Sequence, residues 1–155
     1  MSYERLIDQY LAGPQMLREA VAGLSPAELD ARPIPGKWST REVVCHIADF
    51  EPIYADRMKR VVAENKPTFF GGDPDVFAAG LAYGRRNVAD ELELVDVVRR
   101  TMSVILRGLR AEDFQRVGVH SEYGPLSLEE LLRRITGHIP HHVATIKEKR
   151  AALGR

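Results

Sequence analysis

Ser127-Leu128-Glu129-Glu130-Leu131-Leu132-Arg133-Arg134-Ile135-Thr136-Gly137-His138-Ile139-Pro140-His141-His142-Val143-Ala144-Thr145-Ile146 opens on a helix start and goes on with helical spacing. Ser127 can cap an orphan backbone N–H while Glu130 reaches back to the N–H of Ser127, the reciprocal arrangement of a capping box. Leu128, Leu131, Leu132 and Ile135 then fall at helical spacing, and the pattern runs to about Leu153. The same cap recurs at Ser25-Pro26-Ala27-Glu28 and at Ser39-Thr40-Arg41-Glu42. The Ser39 box predicts a helix to about Glu64, with Val43, Ile47, Phe50, Tyr54 and Val61 inward. The Ser25 box leads only to Ala31-Arg32-Pro33 and predicts a short turn of helix.

Two further segments carry the same period. Tyr3, Leu6, Ile7, Tyr10 and Leu11 form a stripe that Leu17, Val21 and Leu24 resume beyond Gly13-Pro14. That pair is expected to kink or interrupt the first helix, because proline removes a backbone donor. A helix from Val88 to about Leu109 turns Leu92, Val95, Val98, Met102, Ile105 and Leu109 inward. No strand-like alternation of useful length is present. The expectation is an all-α chain, a four-helix bundle occupying residues 1–155 as one domain. The connection from Asn65 to Asn87 is long enough to cross the bundle, which lets the second and third long helices run parallel.

Composition narrows the function classes. Twenty-two Lys and Arg balance twenty-two Asp and Glu, so bulk electrostatics do not favour nucleic acid or an anionic membrane. No apolar run approaches the ~18 residues of a membrane span, and Met1-Ser2-Tyr3-Glu4-Arg5 lacks the apolar centre of a signal peptide. Cys45 is the lone cysteine, which excludes an internal disulfide framework and a cysteine-rich zinc module. A cytoplasmic protein without nucleic-acid or membrane partners is expected.

The histidines carry the chemistry. His138 and His142 lie one helical turn apart and continue the row Leu128, Leu131, Ile135 toward Ile146. His141 is rotated about 100° away. Such a pair fits a metal site, and it equally fits buried or interface histidines. On the second long helix Glu42, His46, Asp49, Ile53 and Arg57 form a polar seam beside the apolar stripe. Bundles build metal sites from facing helices, so His46 with His138 and His142 supplies three nitrogen ligands, a number that leaves positions open for water or substrate. Polar packing is the competing reading. Pro140 cannot donate to the Thr136 carbonyl, so the fourth helix is expected to bend there or restart after Ile139. Cys45 reads as a small core residue, Trp38 as a hydrophobic staple on Val43, and His120 as structural or surface. Phe69-Phe70-Gly71-Gly72-Asp73 is expected either to line a pocket mouth or to pack its aromatics down as satellites of the core.

Lys37-Trp38-Ser39-Thr40-Arg41-Glu42-Val43-Val44-Cys45-His46-Ile47-Ala48-Asp49-Phe50-Glu51, with Gly137-His138-Ile139-Pro140-His141-His142 far downstream, resembles the DinB-like superfamily and its YfiT-like metal-dependent hydrolases. The likeness extends over nearly the whole chain, through Leu11-Ala12-Gly13-Pro14, Pro35-Gly36-Lys37-Trp38 and Gly124-Pro125-Leu126-Ser127-Leu128. It implies an up-down-down-up bundle and one divalent metal, nickel or zinc, on three histidines that match His46, His138 and His142. It implies a homodimer. It also implies either a metal-dependent hydrolase acting on a small molecule or a transferase using a low-molecular-weight thiol of the bacillithiol or mycothiol type. A non-catalytic, metal-stabilised, stress-related bundle is the third expectation. Asp49, one turn from His46, is the candidate catalytic residue, placed to hold a ligand imidazole or act on bound water. Arg57 is the candidate for an anionic substrate, with Asp56 or Glu64 as alternative partners. Arg85 and Arg86 are further docking charges for a bulky anionic thiol.

Overall fold

A computed structural model describes residues 2–155. Four long helices form the bundle: α1 (Glu4–Val21), α3 (Thr40–Ala63), α5 (Val88–Arg107) and α6 (Leu128–Ala152). Short helices α2 (Pro26–Asp30) and α4 (Pro74–Gly80) sit in the connections. All three capping boxes form, with Ser25, Ser39 and Ser127 accepting from the backbone N–H groups of Glu28, Glu42 and Glu130. Helix α1 packs on α5 and α6, and α3 packs on the same two, giving the up-down-down-up bundle with the crossover between α3 and α5.

Two of the alternatives expected at proline, an interruption at Pro14 and a restart after Ile139, are corrected. Helix α1 runs unbroken through Pro14 and α6 runs unbroken through Pro140. Pro14 leaves the Tyr10 carbonyl without its helical donor, and Arg99 Nη1 fills that place at 2.8 Å. Pro140 faces solvent while its neighbours Ile139 and Val143 are buried, so packing on the bundle holds α6 together across the missing bond.

A third correction is a small sheet. Strands β1 (Thr68–Phe69), β2 (Val117–His120) and β3 (Gly124–Ser127) pair in that order, β1 parallel to β2 and β2 antiparallel to β3. Strands of two and four residues are too short to show a period in sequence. Register sets Phe69 beside His120 and His120 opposite Gly124, so the sheet brings the crossover and the 111–126 connection to one end of the cleft described below.

Arg99 and Glu51, both fully buried, divide the core. Arg99 Nε donates to Glu51 Oε2 at 3.0 Å, and Nη2 reaches both Glu51 Oε1 and the Ile135 carbonyl, the latter at 2.8 Å. On one side Tyr10, Met102, Leu131 and Ile135 pack in one cluster; on the other Leu17, Val95, Ile139 and Val143 pack in a second.

Candidate metal centre

His46 is buried on the inner face of α3, and His138 and His142 are half-buried on α6, one turn apart. Their Nε2 atoms converge: His138 Nε2 lies 3.0 Å from that of His46 and 3.1 Å from that of His142. All three ligand atoms fall within 4.8 Å of one another. Two imidazole nitrogens bonded to one ion at about 2.0–2.1 Å sit roughly 3.0–3.4 Å apart, so the two spacings at His138 fit a shared ion.

Electrostatics agree with that fit. Burial pushes the His46 imidazole down to about 4 and the His142 imidazole down to about 4, and the neighbouring rings add to the effect on His142. His138, in the middle, goes down to about 2, from burial and then from His142 and His46. At neutral pH all three rings are uncharged and have lone pairs to offer, the state in which histidine binds metal.

Ring packing orients the cluster. His46 sits between Trp38 and Phe50, with ring centroids 5.2 Å and 4.9 Å away, and Phe50 also lies 6.3 Å from His138. The Nδ1 atoms of His46 and His138 are enclosed and meet no hydrogen-bond partner among the described residues. Trp38 also packs against the core cluster that contains Val43.

Asp49 stands one turn beyond His46, and its carboxylate is held elsewhere. Oδ2 accepts from the Tyr83 hydroxyl at 2.8 Å and Oδ1 pairs with Arg86 at 2.8 Å. Arg86 also binds Glu91, so it is consumed within this network. Arg85 is exposed. Cys45 is buried beneath Tyr83 with its thiol pushed up to about 11 by that burial, the small core residue expected.

The histidines floor a cleft of about 370 Å³. Phe50, Tyr54, Gly71 and Gly72 form its walls, joined by Arg57, His120 and Arg134. Arg57 is buried, and its Nη2 donates to the Phe70 carbonyl at 2.6 Å. The acids expected to compete for it, Asp56 and Glu64, pair with Arg60 instead. His120, expected from the sequence to be a structural or surface group, reaches the cleft through the hairpin formed by β2 and β3, which no spacing along the chain reveals.

Fold and site together define a four-helix-bundle protein with a three-histidine cluster at the floor of an open cleft. The chain belongs to the DinB superfamily, whose sequence profile matches residues 9–146. A relative from Bacillus licheniformis, provisionally named a metal-dependent hydrolase, is 29% identical over 97% of this chain and 86% of its own. YfiT of Bacillus subtilis, named in the same provisional way, is 26% identical over 91% of this chain and 80% of its own. The solved structure of YfiT, described as having an unusual four-helix bundle topology, superposes with a TM-score of 0.91 at 25% identity, covering 99% of this chain and 90% of YfiT. A mycothiol-dependent maleylpyruvate isomerase shares the fold at a TM-score of 0.71 and 13% identity, covering 93% of this chain and 60% of the isomerase. Among the described residues no helix is long and apolar enough to cross a membrane.

Proposed function

We propose that this chain is a metal-dependent hydrolase in which His46, His138 and His142 hold one divalent ion, nickel or zinc. The convergence of three uncharged imidazole nitrogens from two helices on the floor of a cleft carries this reading. Imidazole suits both metals, and three protein ligands leave positions open toward the cleft. When bound, such an ion lowers the pKa of a water molecule and polarises a substrate oxygen.

The chain's own residues do the rest. Trp38 and Phe50 fix the His46 ring, and Phe50 and Tyr54 give the substrate an apolar wall. Asp49 is the carboxylate assigned to the site. Held by Tyr83 and Arg86 one turn from His46, its carboxylate favours positive charge on that ring. Arg57 presents a guanidinium without a carboxylate partner to an anionic substrate.

Screening activated esters and amides tests the proposal. Turnover that disappears in His138→Ala and after chelation supports it; equal turnover in that variant contradicts it. A thiol-dependent transferase is the second reading, favoured by the fold shared with the mycothiol-dependent isomerase, and conjugation of a low-molecular-weight thiol in place of hydrolysis would select it. A melting temperature that responds to metal but to no small molecule would select the non-catalytic bundle.

A further inference from the structure

The outer wall of the cleft gathers three donors, two of them guanidinium groups without an ion pair among the described residues. Arg57 is 4% exposed and forms no ion pair among the described residues; its Nη2 donates to a backbone carbonyl, and its guanidinium lies over the Tyr54 ring at 4.9 Å. A buried charge without a counter-charge is costly, and an anion arriving from outside relieves that cost. Arg134, exposed on α6 one turn before His138, also has no carboxylate partner and stacks on Tyr123 at 5.0 Å. Glu122 also lines the cleft and its charge acts on His120, and among the described residues it forms no ion pair with either arginine.

His120 is the third donor, and its backbone surroundings fix its tautomer. Nδ1 accepts from the N–H of Glu122 at 3.0 Å and of Tyr123 at 3.2 Å. With Nδ1 an acceptor, the proton of the neutral ring sits on Nε2. Nε2 meets no acceptor among the described residues, although the residue is 3% exposed and lines the cleft. Burial and the charge of Arg57 hold this imidazole below its usual range, so it stays a neutral donor at pH 7.

We infer that Arg57, His120 and Arg134 form an anion subsite that takes the carboxylate or phosphate head of a small substrate. The body of such a molecule then lies along Phe50 and Tyr54 toward the three histidines. That its body meets a reacting centre rests on the hydrolase proposal; the anion subsite itself does not need the metal.

Isothermal titration of the full chain with benzoate, phenyl phosphate and uncharged benzyl alcohol tests the inference, run on protein as purified and after chelation. Both anions are expected to bind better than the alcohol in either state, and the tighter of the two identifies the head group. Arg57→Gln and Arg134→Ala are each expected to weaken the anions by about tenfold, as loss of a charge-assisted hydrogen bond does. Arg134 is exposed, so its variant keeps the test valid should Arg57→Gln fold poorly. Side-chain nitrogen NMR should show the His120 Nε2–H signal moving on titration. Anion affinity unchanged in Arg134→Ala and in a folded Arg57→Gln would overturn the subsite. So would binding that survives both substitutions and vanishes on chelation, which would place the anion on the metal. Protein that takes up neither zinc nor nickel yet binds benzoate through Arg57 would sustain the subsite while refuting the metal reading.

Discussion

Arg99 Nη1 donates to the Tyr10 carbonyl at 2.8 Å, and Tyr10 is the residue whose helical donor Pro14 removes. A side chain from α5 thus completes the hydrogen bonding of α1. The same guanidinium binds Glu51 of α3 and the Ile135 carbonyl of α6, so one residue ties together all four helices of the bundle. A proline that would weaken an isolated helix frees the Tyr10 carbonyl to accept from a buried cation. Helix α6 is thereby anchored one turn before His138, and α3 one turn after His46.

Gly13 is the space this arrangement needs. A Cβ there would lie 2.4 Å from Arg99 Nη1 and 3.0 Å from Ile139 Cδ1. Alanine gains about 0.8–1.0 kcal/mol over glycine in a helix, but overpacking a core costs about 1–3 kcal/mol and here also displaces the Arg99 contact. Gly13→Ala is expected to lower the melting temperature by several degrees in thermal unfolding.

Removing one partner of the core pair should cost more. Arg99→Met leaves Glu51 buried without its cation, a change worth about 3–5 kcal/mol. Adding Glu51→Met to Arg99→Met is expected to recover part of that loss, because an apolar pair has no charge to desolvate. Chemical denaturation of the two variants compares them directly.

Lowering pH should destabilise the metal-free protein. The folded pKa values of His46 and His142 lie near 4, below the ordinary imidazole value of about 6.5 that the unfolded chain displays. Between those values the unfolded state binds more protons, so stability falls as pH drops from about 6.5 toward 4. His138 extends the window further down. Melting curves of chelated protein between pH 7.5 and 4.5 measure the slope, which should shrink in His138→Ala.

Aromatic packing, in place of hydrogen bonds at Nδ1, orients His46 and His138. Phe50→Ala removes the ring that touches both. Metal affinity is expected to fall by about tenfold, the lower end of the effect of losing a residue that supports a ligand. Competition with a chelator of known affinity reads this out.

The four long helices were legible because caps and apolar stripes are local signals; Ser39 and Ser127 start their helices where the boxes predict. His138 and His142 were legible because they continue the apolar stripe of their helix, and His46 because it lies on the polar seam beside the stripe of its own. Arg99 occupies a core position of its helix, four residues after Val95 and three before Met102, and that placement was the available sign of a buried charge. Its partner Glu51 and the Tyr10 carbonyl lie far away in sequence, so the network itself was not readable. The sheet and His120 depend on pairings between residues 68–69 and 117–127, which period cannot show. Asp49 was readable as a neighbour of His46, but the Tyr83 and Arg86 that hold it come from the crossover.

Metal content per chain, measured by mass spectrometry on untagged protein beside His138→Ala, tests the central claim most directly. The account predicts about one divalent ion per chain in the parent and less than about a tenth in a folded His138→Ala variant. Parent protein holding less than about a tenth of an ion after incubation with zinc and nickel would contradict it.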